Sequence, residues 1–239
     1  MKDRLRKFYH AKVSRSMRVA FRGLRDEVKA ARISRAAQST FETIADSSGL
    51  RLHLGCGSII KPGWVNIDLN LGSRADQSRL APDTLFVNYD LRRGLPLAAG
   101  SCAIIYSAHF FEHLDYSHAL GLLRECYRVL EPGGMWRAAL PNFRRMLSSY
   151  LNRDLAYFDL VDIFKVMADL EPETMTLVDH VNDGVYQNGE HKWIMDPEKM
   201  LKLMGHIGFS SVREQPFDPL FDEDLELRRR YSFYIEAIK

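Results

Sequence analysis

The sequence predicts an α/β chain: a doubly wound, mostly parallel sheet preceded by a basic helical arm. Three observations carry that expectation. From Arg51 onward, short apolar runs alternate with helical ones, the pattern of a parallel sheet joined by crossovers. The first run, Leu52 to Leu54, ends in Gly55, Cys56 and Gly57. The next two, Trp64 to Asp68 and Leu85 to Asp90, each end in an acid. Ligands of such sheets sit beyond the carboxyl ends of the strands, so these glycines and acids mark a binding edge.

The arm comes first. Leu5, Tyr9, Val13, Met17, Phe21, Leu24 and Val28 recur every three or four residues, a helical period with one apolar stripe. Residues 1–37 hold 12 Lys or Arg against 3 acids, while the rest holds 21 against 28. A basic arm thus precedes an acidic body. The polar stretch from Ala37 to Gly49 reads as a linker, which divides the chain into an arm at 1–49 and a domain at 50–239.

Within the domain, Ala103 to Ser107 is a fourth strand. Tyr116 to Leu130 has helical spacing and stops at Pro132-Gly133-Gly134. Met135 to Leu140 is a fifth strand. Residues 143–190 break the alternation. They are helix-rich and aromatic, and read as an insertion or lid at the ligand-bearing edge. Asp196-Pro197-Glu198 opens a helix that runs to Gly208. Ser211 to Pro216 and Ser232 to Ile238 complete seven strands, as an antiparallel pair at one edge. Only a few residues separate Gly57 from Trp64, too few for a normal crossover, so the first crossover helix is shortened or lost.

Composition excludes several classes. Charged residues make up 27% of the chain, an ordinary globular share, and no apolar run is long enough to span a bilayer. The N-terminus lacks the apolar stretch of a signal peptide. Three cysteines, an odd number without metal-type spacing, point to free buried thiols and a reducing compartment. The expected location is the cytoplasm, with peripheral contact at the inner face of the membrane open to the arm. For that arm three readings stand: packing on the body or a second copy, attraction to anionic lipid, and nucleic-acid binding. The last is disfavoured by the acidic body and the lack of any accompanying nucleic-acid motif.

The segments Leu52 to Gly57 (LHLGCG), Ser107 to Leu114 (SAHFFEHL) and Tyr127 to Gly134 (YRVLEPGG), with Asp68 and Asp90, resemble class I S-adenosylmethionine-dependent methyltransferases of the type 11 group. The resemblance implies a Rossmann-like fold and S-adenosylmethionine as cofactor. It implies cofactor contacts from His53, Gly55, Cys56, Gly57, Asp68 with Leu69, Asp90 with Leu91, and His109. Asp68 would take the ribose hydroxyls and Asp90 the adenine amino group. Either acid has an alternative role as the cap of the following helix. The resemblance further implies a small-molecule or glycan acceptor.

The chain departs from the group in carrying His53 where an acid is usual and Ile59 where a third glycine is usual. Loss of the first crossover helix also removes the anion site that a dinucleotide would need. Methyl transfer depends chiefly on alignment, and a hydroxyl or ammonium acceptor also needs a base. The candidates are His113 and His191, with His180 behind them. Two other functions stay open: a methyltransferase-like binding protein without turnover, and a metal hydrolase built on the H-x-x-E-H spelling of His109, Glu112 and His113. No metal site is expected from His109 and His113, because a strand end and a helix start do not present them like successive helical turns.

Overall fold

The computed structural model describes residues 14–71, 80–159, 163–166 and 171–239. The arm's Leu5, Tyr9 and Val13 lie outside the described residues. In chain order the elements are α1 (Arg15–Glu42), β1 (Leu50–Leu54), β2 (Val65–Asp68), β3 (Leu85–Asn88), β4 (Cys102–Ala108), α2 (Tyr116–Val129) and β5 (Leu130–Pro141). Then come α3 (Phe143–Leu151), α4 (Leu155–Phe158), α5 (Ile163–Val166), α6 (Leu177–Tyr186), α7 (Pro197–Ile207), β6 (Ser211–Gln215), α8 (Glu226–Tyr231) and β7 (Ser232–Ile238).

The seven strands form one sheet in the order β3-β2-β1-β4-β5-β7-β6, a Rossmann-like arrangement whose winding reverses between β1 and β4. β1 to β5 are parallel, whereas β7 runs antiparallel to both β5 and β6. The reversed strand therefore lies one place in from the edge. Alternation along each strand sorts side chains between two faces. Leu52, Leu54, Val65, Ile67, Ile105, Trp136, Ala138, Phe233 and Ile235 share the face that packs under helices. α2 lays Ala119, Leu122, Leu123, Cys126 and Val129 on it, and α7 adds Met200, Leu203 and Met204.

α1 supplies the largest departure from the sequence reading. The helix continues through the expected linker to Glu42, and its second half is part of the body. Ala30, Ser34, Ala37 and Phe41 are buried, and Phe41 meets Tyr89 edge to face with ring centroids 5.1 Å apart. These four positions form their own helical stripe of small residues closed by one aromatic. The larger stripe of Met17, Phe21, Leu24 and Val28 is exposed. The expected arm runs to residue 49, whereas burial of this helix against the body begins at Ala30.

Among the described residues, the opposite face is covered mainly by loop segments. The connection from β1 to β2 carries no helix, as expected. Buried Asn66 pins it, accepting from Lys61 N at 2.8 Å and donating to Lys61 O and Trp64 O, each at 3.0 Å. Beyond it, Trp64, Tyr106, Ala108, Ala139 and Tyr234 pack with Phe217 and Phe221 of the loop before α8. The buried Arg137 on β5 donates to both carboxylate oxygens of Asp222 in that loop, at 3.0 and 2.6 Å. Such a pair anchors the loop, because leaving either charge alone would cost several kcal/mol. Among the described residues, the connections from β2 to β3 and from β3 to β4 also lack a helix beyond the single turn Leu91–Arg93. The second half of α1 contacts β3 and packs on the core there.

The three cysteines are buried and free, as expected of small apolar side chains. Among the described residues, no helix is long and apolar enough to cross a membrane.

Candidate active site

The parallel strands deliver the expected edge. β1 ends in a turn where Gly55 and Gly57 have φ of +65° and +53°, a region that favours glycine. The two glycines have different reasons. A Cβ on Gly55 would collide with the ring of Phe110, so the close approach there comes from the protein itself. A Cβ on Gly57 would meet nothing within 4 Å, so its open side faces space that a ligand can use. Between them Cys56 is buried, and burial followed by the nearby Asp68 charge pushes its thiol up to about 12. Cys56 stays a neutral thiol.

Asp68, half-buried at the end of β2, accepts from Gly57 N through Oδ2 at 2.7 Å. It holds the glycine turn against the second strand, and Leu69 follows it half-buried. Asn88 and Asn70 exchange two hydrogen bonds of 2.8 Å, which fasten the ends of β2 and β3 together.

Arg92 donates to Asp90 from Nε at 2.9 Å, from Nη2 at 2.8 Å and from its backbone N at 3.1 Å. Burial pushes this carboxyl up, but the hydrogen bonds and charge of Arg92 outweigh it and hold the group below its usual range. Arg92 also grips Glu27 of α1 at 2.7 and 3.1 Å, and Asp90 N donates to Ser34 Oγ. Asp90 takes the cap role that its strand-end position left open: it caps the turn after β3 and ties α1 to it. Leu91 is buried in the main core. His53 is fully buried on the loop-covered face, 3.2 Å from Asn66 Oδ1 through Nδ1. Burial, then the Lys61 charge, lowers its pKa to about 4, so its 3.9 Å approach to Glu223 is not an ion pair.

Beyond β4 and β5 lies a cavity of about 250 Å³. Its walls come from His109, Glu112 and Asn142 at the strand ends and from the 143–195 segment, including Phe158, His180 and His191. The segment stands as a wall because it has a small core of its own: Met146, Tyr157 and Phe158 pack with Phe143, Leu177 and Tyr231. Gly184 allows the close approach of α6 to α3, since a Cβ there would meet Met146 Sδ at 2.6 Å. Lys192 N donates to Glu112 O at 2.8 Å, and Trp193 Nε1 to Phe111 O at 3.0 Å, which seals the end of the segment to the turn after β4.

The H-x-x-E-H residues part at His113: His109 Nδ1 stays 3.6 Å from Glu112 Oε1, while His113 turns to His191. His109, at a strained φ of +47°, places Nε2 2.7 Å from Ser232 Oγ. Burial holds its pKa well below the usual value, so it is neutral. Glu112 is 1% exposed, with neither carboxylate oxygen hydrogen-bonded, and burial pushes its pKa up to about 8. His113 lies next to His191, with ring centroids 5.0 Å apart, although 78 positions separate them in the chain. Burial lowers the pKa of both, followed for His191 by the His113 charge. His191 Nδ1 is 3.0 Å from the carbonyl of Gly184. A carbonyl only accepts, so Nδ1 carries the hydrogen and Nε2 keeps a lone pair. Lone pairs on neutral imidazoles suit either proton transfer or coordination.

Sequence reasoning passed over Ser232, which orients His109, and Asp183, a cavity-lining acid whose pKa burial raises. Neither carries a motif. Glu112 was legible as part of a spelling, but its complete burial was not.

Residues 52–137 match the type 11 methyltransferase domain family. No curated protein matches the chain. Among solved structures, the chain is similar to a SAM-dependent methyltransferase from Archaeoglobus fulgidus, with 18% identity, 90% of this chain and 94% of that one covered, and a TM-score of 0.47. It is similar to an S-adenosylmethionine-dependent methyltransferase from Mesorhizobium loti at 17% identity, 82% and 93% coverage and a TM-score of 0.46. A third, a SAM-dependent methyltransferase from Aquifex aeolicus, shows 13% identity, 84% and 88% coverage and a TM-score of 0.44.

Proposed function

From the match of residues 52–137 to the type 11 methyltransferase domain family, we propose that the chain is an S-adenosylmethionine-dependent methyltransferase and where its donor and acceptor sit. The donor lies over the carboxyl ends of β1 and β2. The acceptor, a small molecule or glycan, occupies the cavity beyond β4 and β5. One observation carries this reading: the cavity opens beside β4, the immediate neighbour of the strand that ends in the glycine turn.

S-adenosylmethionine supplies an electrophilic sulfonium methyl when bound. Gly57, with open space where a side chain would stand, fits the close passage of such a ligand. Asp68 fits a ribose contact at the strand end, while Asp90, committed to Arg92, does not fit an adenine contact. The insertion at 143–190 acts as the wall that excludes water from the acceptor, and alignment of donor and acceptor supplies most of the rate gain. His113 and His191 present neutral imidazoles at or beside this wall, the kind of group a hydroxyl acceptor needs. The outer half of α1, with Met17, Phe21, Leu24 and Val28 exposed among basic residues, suits attachment to anionic lipid or to a second copy.

Calorimetry with S-adenosylhomocysteine tests the donor assignment. Asp68→Ala is expected to weaken binding by about 1–3 kcal/mol, the scale of hydrogen bonds to a charged group. Equal affinity in both proteins refutes the ribose role of Asp68, and no binding by either refutes the donor site.

A further inference from the structure

We propose that Glu112, His113 and His191 bind a divalent transition-metal ion at the wall of the acceptor cavity. One ligand atom from each lies within 4.8 Å of the other two. The sequence reading expected no metal at His109 and His113, because a strand end and a helix start do not present them like successive helical turns. The fold ties His109 Nε2 to Ser232, leaving Nδ1 3.6 Å from Glu112 Oε1, and brings in His191 from the far end of the insertion.

Two further observations point to a ligand at this spot. The Glu112 carboxyl is 1% exposed, and neither oxygen has a hydrogen-bond partner. A buried carboxyl without partners is costly, and coordination is one of the few arrangements that satisfies it. His191 is also held as a metal ligand is held: it gives Nδ1–H to the carbonyl of Gly184, which orients the ring and leaves Nε2 to coordinate.

The donor set narrows the ion. Two imidazoles and one carboxylate suit zinc, iron(II), manganese or cobalt, whereas magnesium and calcium prefer oxygen alone. Bonds of about 2.1 Å place ligand atoms on the order of 3.3 Å apart, so the three side chains close by about an ångström on binding. Three protein ligands leave positions open. Glu112 and His191 both line the cavity, so those positions are available to an oxygen of the acceptor. Resting on the acceptor placement proposed above, this narrows the substrate class to molecules that present a hydroxyl, whose proton a bound cation makes easier to lose, with His113 and His191 then acting as ligands in place of a base.

The test is calorimetric titration of the dialysed protein, residues 1–239, with zinc and with manganese, using magnesium as a control. Wild type is expected to take up one equivalent of zinc or manganese. Glu112→Gln, which keeps the shape of the side chain, and His191→Ala should each bind at least about 100-fold more weakly. Exposed His206→Ala should bind like wild type. Absence of saturable binding, or unchanged affinity in whichever of Glu112→Gln and His191→Ala is folded by circular dichroism, overturns the proposal. A parallel titration with S-adenosylhomocysteine separates the two readings. Nucleoside binding without metal binding removes the ion and leaves the donor site. Metal binding without nucleoside binding keeps the ion and removes the donor site.

Discussion

Phe41→Ala asks whether the second half of α1 is core or accessory. Phe41 is 1% exposed, packs edge to face on Tyr89 and belongs to the same buried cluster as β1 and β2. Truncating a buried phenylalanine removes its transfer free energy and leaves a void. The expected loss is about 3–5 kcal/mol. Phe21→Ala, on the same helix but 53% exposed, is expected to change stability by no more than about 0.5 kcal/mol. Urea unfolding of both variants reads the difference. With a slope of roughly 3 kcal/mol per molar for a chain of this size, Phe41→Ala should move the midpoint down by on the order of 1–2 M. If the two variants unfold together near wild type, the helix is an appendage and the sequence reading of a linker before Gly49 is restored. If the midpoint of Phe41→Ala falls as expected, any truncation meant to remove the basic arm has to stop well before Glu27, whose carboxylate holds Arg92.

The remaining predictions concern β1 and its turn. His53 has a folded pKa of about 4 against an ordinary value of 6.5, so between those values the unfolded chain binds a proton that the folded chain refuses. Its contribution is complete above about pH 6.5 and is lost as pH falls toward 4, a destabilisation of roughly 3 kcal/mol. Chemical denaturation across that range should show the slope flattened in His53→Gln, and an unchanged pH dependence would show that other groups set it. Gly55→Ala should destabilise by about 2–4 kcal/mol, from a positive φ together with crowding of Phe110. In a Phe110→Ala background the cost should fall by about 1–2 kcal/mol, and equal costs in the two backgrounds would acquit Phe110.

β1, β2 and β3 were legible because each is a short, largely apolar run closed by a turn residue or an acid. The α7 start at Asp196 was legible because caps are local chemistry, and the end of α2 was legible to within a few residues: the helix stops at Val129, and β5 begins at Leu130 and takes in Pro132-Gly133-Gly134. Asp196 does accept from Lys199 N at 2.8 Å. The loss of the first crossover helix could be counted from the few residues between Gly57 and Trp64. The packing of α1 could not be read the same way. Its buried stripe is Ala30, Ser34, Ala37 and Phe41, while attention follows the larger residues from Met17 to Val28, which face outward. Small residues let a helix approach a sheet closely, and they leave little trace in a hydrophobic period. Asp90 read as a ligand or a cap from its strand-end position alone, and the arginine two residues on decided between them. The meeting of His191 with Glu112 and His113 joins residues far apart in sequence, and spacing carries no information about such a pair.

The continuity of α1 has a mechanical consequence. An unbroken helix of 28 residues passes from the core to the exposed stripe without a joint, and Arg92 clamps it near its middle through Glu27 and Asp90. At 1.5 Å per residue, the twelve residues before Glu27 reach roughly 18 Å from that clamp. Any surface that grips the outer turns would hold the sheet at a set height and a set rotation, like a bracket instead of a leash. A torque on those turns would arrive first at Arg92, at the loop following the third strand, and so at the same rim of the sheet that carries the glycine turn.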